Sequence, residues 1–285
     1  MKIVHTIADV QSCISGQKFE GKRIGFVPTM GNLHGGHLTL VKKAQELCDC
    51  VVVSIYVNPL QFGPNEDYDS YPRTLEQDCA LLKEYSVGIV YAARTQEIYP
   101  EGSDSHTHIS VDMLDGMHCG KSRPGFFRGI ATVVTKLFNI VRPDVAVFGE
   151  KDFQQLAIIR KMVRDMCMPV DIVGAPIARE ESGLAKSSRN GYLTKEEREE
   201  IAPCIFEILS DAKSVIQAGE RDYDLIRRNA FAKLAQAGIK PDYFNISNTR
   251  TLLPASDNDD QLVILAAGHV GKARLIDNIH FSIDV

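Results

Sequence analysis

No apolar run in this sequence approaches the ~18 residues that cross a bilayer, so a spanning helix is not expected. The opening stretch, "MKIVHTIADVQSC", breaks its apolar run with polar residues and offers no clear cleavage site, so it does not read as a secretory signal. Cysteine pairing is also missing. The seven cysteines are odd in number, none forms Cys-x-x-Cys, and "CDC" at 48–50 is too tight for usual zinc spacing. Reduced, mostly buried thiols in a cytoplasmic protein are the plain expectation. Positive charge is short: 32 Lys and Arg against 37 Asp and Glu give a net charge of -5, which argues against a general polyanion-binding surface. It leaves room for a local basic pocket, because net charge says little about one cleft. No internal repeat or low-complexity segment is present. Gly-x-Gly-x-x-Gly is absent too, which removes the main support for nicotinamide binding. "DGMHCGKS" imitates a P-loop, but the glycine required five positions before Gly120 is Asp115, and Gly116 is one residue too close.

What is present is ample core and a regular alternation. The chain has 285 residues, 44% of them apolar, enough for one large domain or two ordinary ones. "RIGFV" reads as a buried strand. "HLTLVKKAQELC" then places Leu38, Val41 and Leu47 on roughly one helical face. "VVVSIYV" is β-branched and strand-like; "TLEQDCALLKEY" is helical and "GIVYAA" is another strand. Helix "GIATVVTKLFNIV", strand "DVAVFG", helix "DFQQLAIIRKMVRDM" and strand "VDIVGAPI" follow. Such alternation predicts an α/β fold: a Rossmann-like, doubly wound parallel sheet with helices on both faces. Past residue 177 the pattern changes. Thr194 and Glu197 have capping-box spacing ahead of a helix that ends at Gly219, and a second helix and three strand-like runs complete a smaller α+β region. The expected division is 1–177 for the Rossmann-like domain and 178–285 for a smaller α+β domain closing over its site.

Three stretches carry chemistry. In "PTMGNLHGGHLTLV", two histidines three residues apart stand where a strand yields to a helix. Ligands of open parallel sheets bind there, and helix N-termini attract phosphate. Gly31, Gly35 and Gly36 allow close backbone approach. His34 and His37 share one side of the first turn and can donate to phosphate oxygens as charge develops. Capping or surface histidines are the alternative; zinc lacks a third ligand. "FGEKDFQQ" also sits at a strand-to-helix junction, where Lys151 suits a phosphate and Asp152 suits an N-cap. "GLAKSSRNGYL" joins hydroxyls, Lys186 and Arg189 in a loop, either a solvated linker or a closable phosphate clamp.

These stretches, with "YVNPLQFGPNEDYDSYPRTLEQD", "RPGFFRGIATVVTKLFN" and the C-terminal "ARLIDN", resemble the pantothenate synthetase (pantoate–β-alanine ligase) family, within the His-x-Gly-His nucleotidyltransferase superfamily. The resemblance runs in family order over essentially the whole chain. It implies an enzyme that condenses pantoate with β-alanine, using ATP and magnesium, through pantoyl adenylate, and releases AMP and pyrophosphate. It further implies that Met30, Gly31, Asn32, Leu33, His34, Gly35, Gly36 and His37 line ATP, with His37 as proton donor and His34 as phosphate partner. Gly149, Glu150, Lys151 and Asp152 would form a second ATP segment, with Lys151 on the phosphates. Ala178 would meet adenine through its backbone, and Lys186, Ser187, Ser188 and Arg189 would form the mobile clamp. Gln61 and Gln155 would hold pantoate, since buried polar groups of a substrate need partners. Asp78 would help hold magnesium, or else be a solvated helix charge. A homodimer is implied as well.

The sequence departs from the family pattern at three places. Gly35 replaces a usual acid, which is expected to loosen the turn. Phe126 replaces a frequent histidine, and Lys186 a usual apolar residue. The rival readings are a nucleotidyltransferase that leaves AMP on a small phosphorylated substrate, an ATP-sensing module without turnover, and, more distantly, a tRNA-charging enzyme.

Overall fold

The computed structural model describes residues 1–63, 66–103 and 105–283. In chain order its elements are β1 (Lys2–Val4), α1 (Ile7–Phe19), β2 (Ile24–Thr29), α2 (Gly35–Leu47), β3 (Cys50–Ile55), α3 (Leu75–Glu84), β4 (Ile89–Tyr91), α4 (Thr95–Ile98), α5 (Cys119–Ser122), α6 (Phe126–Val141), β5 (Val145–Gly149), α7 (Phe153–Asp165), β6 (Asp171–Ala175), α8 (Cys204–Gln217), α9 (Tyr223–Gln236), β7 (Lys240–Asn248), β8 (Gln261–Val270) and β9 (Ala273–Ser282). They form two compact units. One holds Met1–Asp115, Arg123–Glu150 and Gln155–Pro176; the other holds Gly116–Ser122, Lys151–Gln154 and the chain from Ile177 onward.

The first unit is built on a six-stranded parallel sheet in the order β1-β4-β3-β2-β5-β6. Strand alternation sends side chains to opposite faces. Val27, Val51, Val53, Val145 and Val147 pack with Leu38, Val41 and Ala44 of α2 and Leu82 of α3. On the opposite face Phe26 and Phe148 meet Phe138 of α6 edge-on, each at 6.3 Å. Each large side chain buried this way contributes ~1.5–3 kcal/mol, which is why near-continuous apolar strands appear here. The order reverses between β2 and β5, so the carboxyl ends of those neighbours form the crevice where ligands of such sheets bind.

In the second unit, β7, β8 and β9 form an antiparallel sheet. Phe244, Ile246, Leu262 and Ile264 from it share a core with Ile205, Leu209 and Ile216 of α8 and Ile226 and Leu234 of α9.

The capping box expected from spacing is present: the Thr194 N–H donates to Glu197 Oε2 at 2.8 Å and the Glu197 N–H to Thr194 Oγ1 at 3.2 Å. The helix expected over 194–219 is interrupted, however. A wide turn over Glu197–Ile201 precedes α8, because Pro203 has no N–H to continue the ladder. Strand β1 and helix α1 escape the sequence reading. β1 has only three residues, and α1 buries only Val10 and Ile14, leaving little periodicity to detect.

Candidate active site

The turn after β2 is shaped by one carboxylate. Asp78 of α3 is only 1% exposed. Its Oδ1 accepts the Leu33 N–H at 2.8 Å, and its Oδ2 accepts the Asn32 N–H at 3.0 Å and the Thr74 hydroxyl at 3.2 Å. Asp78 is therefore not a solvated helix charge. Gly31 sits at φ +81°, and a Cβ there would stand 3.0 Å from Asp78 Oδ2 and 3.1 Å from Ile55 Cγ2. Glycine is thus required by both conformation and space. Thr29 braces the strand end by donating to the Ser54 carbonyl at 2.7 Å.

His34 caps α2. Its Nδ1 accepts the Gly36 N–H at 3.1 Å, while its own N–H donates to His37 Nδ1 at 3.3 Å. The rings lie 4.2 Å apart. The capping and phosphate readings of this pair, alternatives in the sequence, are compatible. An imidazole whose Nδ1 accepts carries its neutral-state proton on Nε2. Both half-buried rings are thereby fixed as Nε2–H donors. The first turn of α2 contains no acidic residue, so its positive end is uncompensated locally. With Gly35 in place, the reciprocal hydrogen bonds of the two histidines close this turn.

Gln61 ends a single-turn helix, Pro59–Gln61, after β3. Its position depends on Asn58, a fully buried residue that the sequence reading missed. Asn58 Nδ2 donates to Gln61 Oε1 at 3.1 Å and to the Gly129 carbonyl at 3.2 Å, and its Oδ1 accepts the Tyr99 hydroxyl at 3.0 Å. With its carbonyl engaged, the Gln61 amide presents its NH2 as donor. Gly129 allows this arrangement, since a Cβ there would lie 2.2 Å from the Leu60 carbonyl oxygen. Arg123 adds a tie to the Gln61 carbonyl at 3.1 Å, and Phe126 lies 3.5 Å beneath its guanidinium. The substitution at 126 therefore brings a cation–π contact. In the same unit, Gly149 ends β5 and Glu150 packs its carboxylate on Gly174, while Gln155 is half-buried in the first turn of α7.

The other predicted residues lie in the second unit. The Lys151 carbonyl accepts from Asn278 Nδ2 at 2.9 Å. Lys151, Ser187 and Asp277 line one cavity of about 10 Å³, room for a single water. Asp277 meets Arg179 through two hydrogen bonds, 2.6 and 3.0 Å. Burial raises the Asp277 carboxyl pKa, while Arg179 and Lys151 pull it back. Asp152 is exposed. Its neighbour Gln154 is committed to structure, accepting the Cys119 N–H and donating to the Met117 carbonyl.

The loop at 183–193 is not a solvated linker. Leu184 and Ala185 are buried, Arg179 bridges Ala185 as paired strand, and the Lys186 N–H donates to the Ala178 carbonyl at 2.9 Å. Ser187 caps the turn Ser188–Tyr192. Buried Asn190 joins Glu180 to the Ala185 carbonyl. Burial raises the Glu180 carboxyl, but hydrogen bonds from Arg198 and Asn190, with the charges of Arg198 and Lys186, leave its pKa below the ordinary value. Lys186 thus has an acidic neighbour in Glu180. No strand leads into "DGMHCGKS", as a P-loop would require: Leu114–Gly116 is a 3-10 turn and α5 a single helical turn.

Comparison with known proteins accords with this arrangement. The sequence profile described as pantoate-beta-alanine ligase matches residues 2–280. The pantothenate synthetase of Marinobacter nauticus is 52% identical over 98% of this chain and 99% of its own. That of Pseudomonas putida is 51% identical over 100% and 99%. The crystal structure of the Thermus thermophilus pantothenate synthetase superposes with a TM-score of 0.91 at 44% identity, covering 98% of this chain and 99% of that one. A Francisella tularensis pantoate-beta-alanine ligase, solved with a βγ-ATP compound and β-alanine, gives 0.81 at 37% identity, covering 98% and 97%. The fold, the histidine-capped turn and these full-length matches together place the chain in the pantoate–β-alanine ligase, or pantothenate synthetase, family.

Proposed function

We propose that this protein condenses pantoate with β-alanine at the expense of ATP. A pantoate carboxylate oxygen attacks the α-phosphorus of ATP and pyrophosphate leaves, giving pantoyl adenylate. The β-alanine amine then attacks the acyl carbon and AMP leaves. Activation is needed because a carboxylate is a poor electrophile at neutral pH. The observation that carries the reading is the reciprocal capping of His34 and His37, which aims two Nε2–H donors from a helix start without local acid. Preorganised donors of this kind stabilise charge as it develops on the leaving phosphates. In this reading Gly149 and Glu150, with Lys151, Asp152, Ala178 and Lys186–Arg189, complete the ATP contacts, and Gln61 and Gln155 take pantoate.

Magnesium belongs to the proposed reaction but finds no protein cage. Among the described residues no group of three or more His, Cys, Asp and Glu side chains is placed to hold a metal ion. Asp78 fits poorly as a ligand, because it is 1% exposed and three of its roughly four acceptor sites already serve the turn. A homodimer and a cytoplasmic setting are part of the same reading. Light scattering checks the first. For the second, among the described residues no helix is long and apolar enough to cross a membrane.

The test is turnover of ATP with pantoate, with and without β-alanine. Pyrophosphate release with pantoate alone, and free AMP only once β-alanine is added, is the expected result. AMP retained on the product would instead support a plain nucleotidyltransferase, and ATP binding without turnover a sensing module. Neither is favoured by the family match.

A further inference from the structure

A second cavity, in the first unit, adjoins the turn after β2 through Met30, Gly31 and Asp78 but is lined by neither histidine of that turn and by neither Gln61 nor Gln155. It has a volume of about 410 Å³ and opens beyond the carboxyl ends of β1, β4 and β3. Ile55, Val57, Ala92 and Ala93 give it an apolar floor, Arg73 and Arg94 give it positive charge, and His5 lines its rim. Met30 and Gly31 form one wall, with Asp78 behind them already engaged by three donors.

Three features point to an anionic occupant. The Arg73 guanidinium donates to the main-chain carbonyls of Tyr68, Asp69 and Tyr71 and lies 5.3 Å from the Tyr68 ring centroid, contacts that bring no formal negative charge to it. Arg94 is exposed, and among the described residues neither arginine has a carboxylate partner. Tyr56 lines the cavity at 5% exposure, and its buried hydroxyl completes no hydrogen bond. Burial pushes the phenol well above its ordinary value, and Thr95, within hydrogen-bonding approach but without full geometry, pulls it only partly back. A buried hydroxyl without a partner costs free energy that a ligand would recover. His5 Nδ1 bonds the Ala92 carbonyl at 2.9 Å, which fixes its ring at the rim.

We propose that this cavity binds a small organic phosphate monoester, its dianionic head gripped by Arg73 and Arg94 with the Tyr56 hydroxyl, its short aliphatic body on the Ile55–Val57 floor. Two planar guanidinium forks and a hydroxyl offer more donors than a carboxylate can accept, and they match a tetrahedral oxyanion. The apolar floor excludes a bare inorganic ion as the best fit.

Calorimetry on the full chain tests this, with a non-hydrolysable ATP analogue and pantoate saturating the proposed active site. The probes are n-butyl phosphate, pentanoate and inorganic phosphate. One equivalent of n-butyl phosphate is expected to bind more tightly than either other probe. Arg94→Gln, at an exposed position, is expected to weaken it about tenfold. Tyr56→Phe, which keeps the ring and the packing, is expected to weaken it about two- to tenfold. Melting curves of both variants should match the parent. Absence of binding, or binding unchanged in both variants, overturns the site. Pentanoate binding as well as n-butyl phosphate overturns the head group, and inorganic phosphate doing so overturns the floor.

Discussion

Replacing Asp78 with asparagine isolates the carboxylate that shapes the histidine turn. The amide has one oxygen where the carboxylate had two, so it cannot accept from Leu33 on one side and from Asn32 and Thr74 on the other. Its cheaper orientation turns the NH2 toward the lone Leu33 N–H, losing one charge-assisted bond and neutralising two. A bond to a charged group contributes ~1.5–3 kcal/mol and a neutral one about half that, so at the lower end of the range the total is about 3 kcal/mol. If that strain is relieved by the turn leaving its geometry, ATP must re-form it. The value of kcat/KM for ATP is then expected to fall about 10²-fold, since ~1.4 kcal/mol is one decade. Melting should also drop by several degrees, at about 2–4 °C per kcal/mol for a chain near this size. The assay is steady-state pyrophosphate release at several magnesium concentrations. A loop-shaping role gives a loss that magnesium does not restore. Wild-type kcat/KM in the variant, or full rescue by added magnesium, would refute the reasoning and return Asp78 to the metal.

His37→Ala and His34→Ala should each slow adenylate formation about 10²–10³-fold, as for the loss of one transition-state donor; near-parent single-turnover rates would remove the site assignment. Gln155→Ala should weaken pantoate about 5- to 150-fold with ATP little changed, the cost of an unpaired buried partner; equal weakening of both substrates in binding assays would indicate a structural role. Lys186→Leu should alter turnover less than about threefold while Arg189→Ala does far more damage, because a guanidinium grips phosphate through paired bonds. Equal losses in steady-state kinetics would put Lys186 in the clamp. Gly129→Ala drives a methyl to 2.2 Å from the Leu60 carbonyl oxygen, so the backbone must shift. Overpacking of this kind typically costs ~1–3 kcal/mol, read as a lower melting temperature together with weaker pantoate binding through Gln61.

Much of this molecule was settled by residue pattern alone. β-branched runs alternating with 3.6-periodic segments dictate a parallel sheet, because each element must bury one face against the next. The Thr194–Glu197 box and the His-x-Gly-His turn are local devices whose partners lie three residues apart, so spacing reveals them. Resemblance supplied the family. What spacing could not reveal is any contact made across long separations. Asp78 reads on α3 as an ordinary surface acid, yet it accepts the N–H groups of residues 45 and 46 positions away. Asn58 gave no signal, since its partners Tyr99 and Gly129 are 41 and 71 positions off. The direction of the histidine protons was likewise undecided in the sequence. It depends on which ring nitrogen meets the backbone, and only the folded first turn of α2 fixes that.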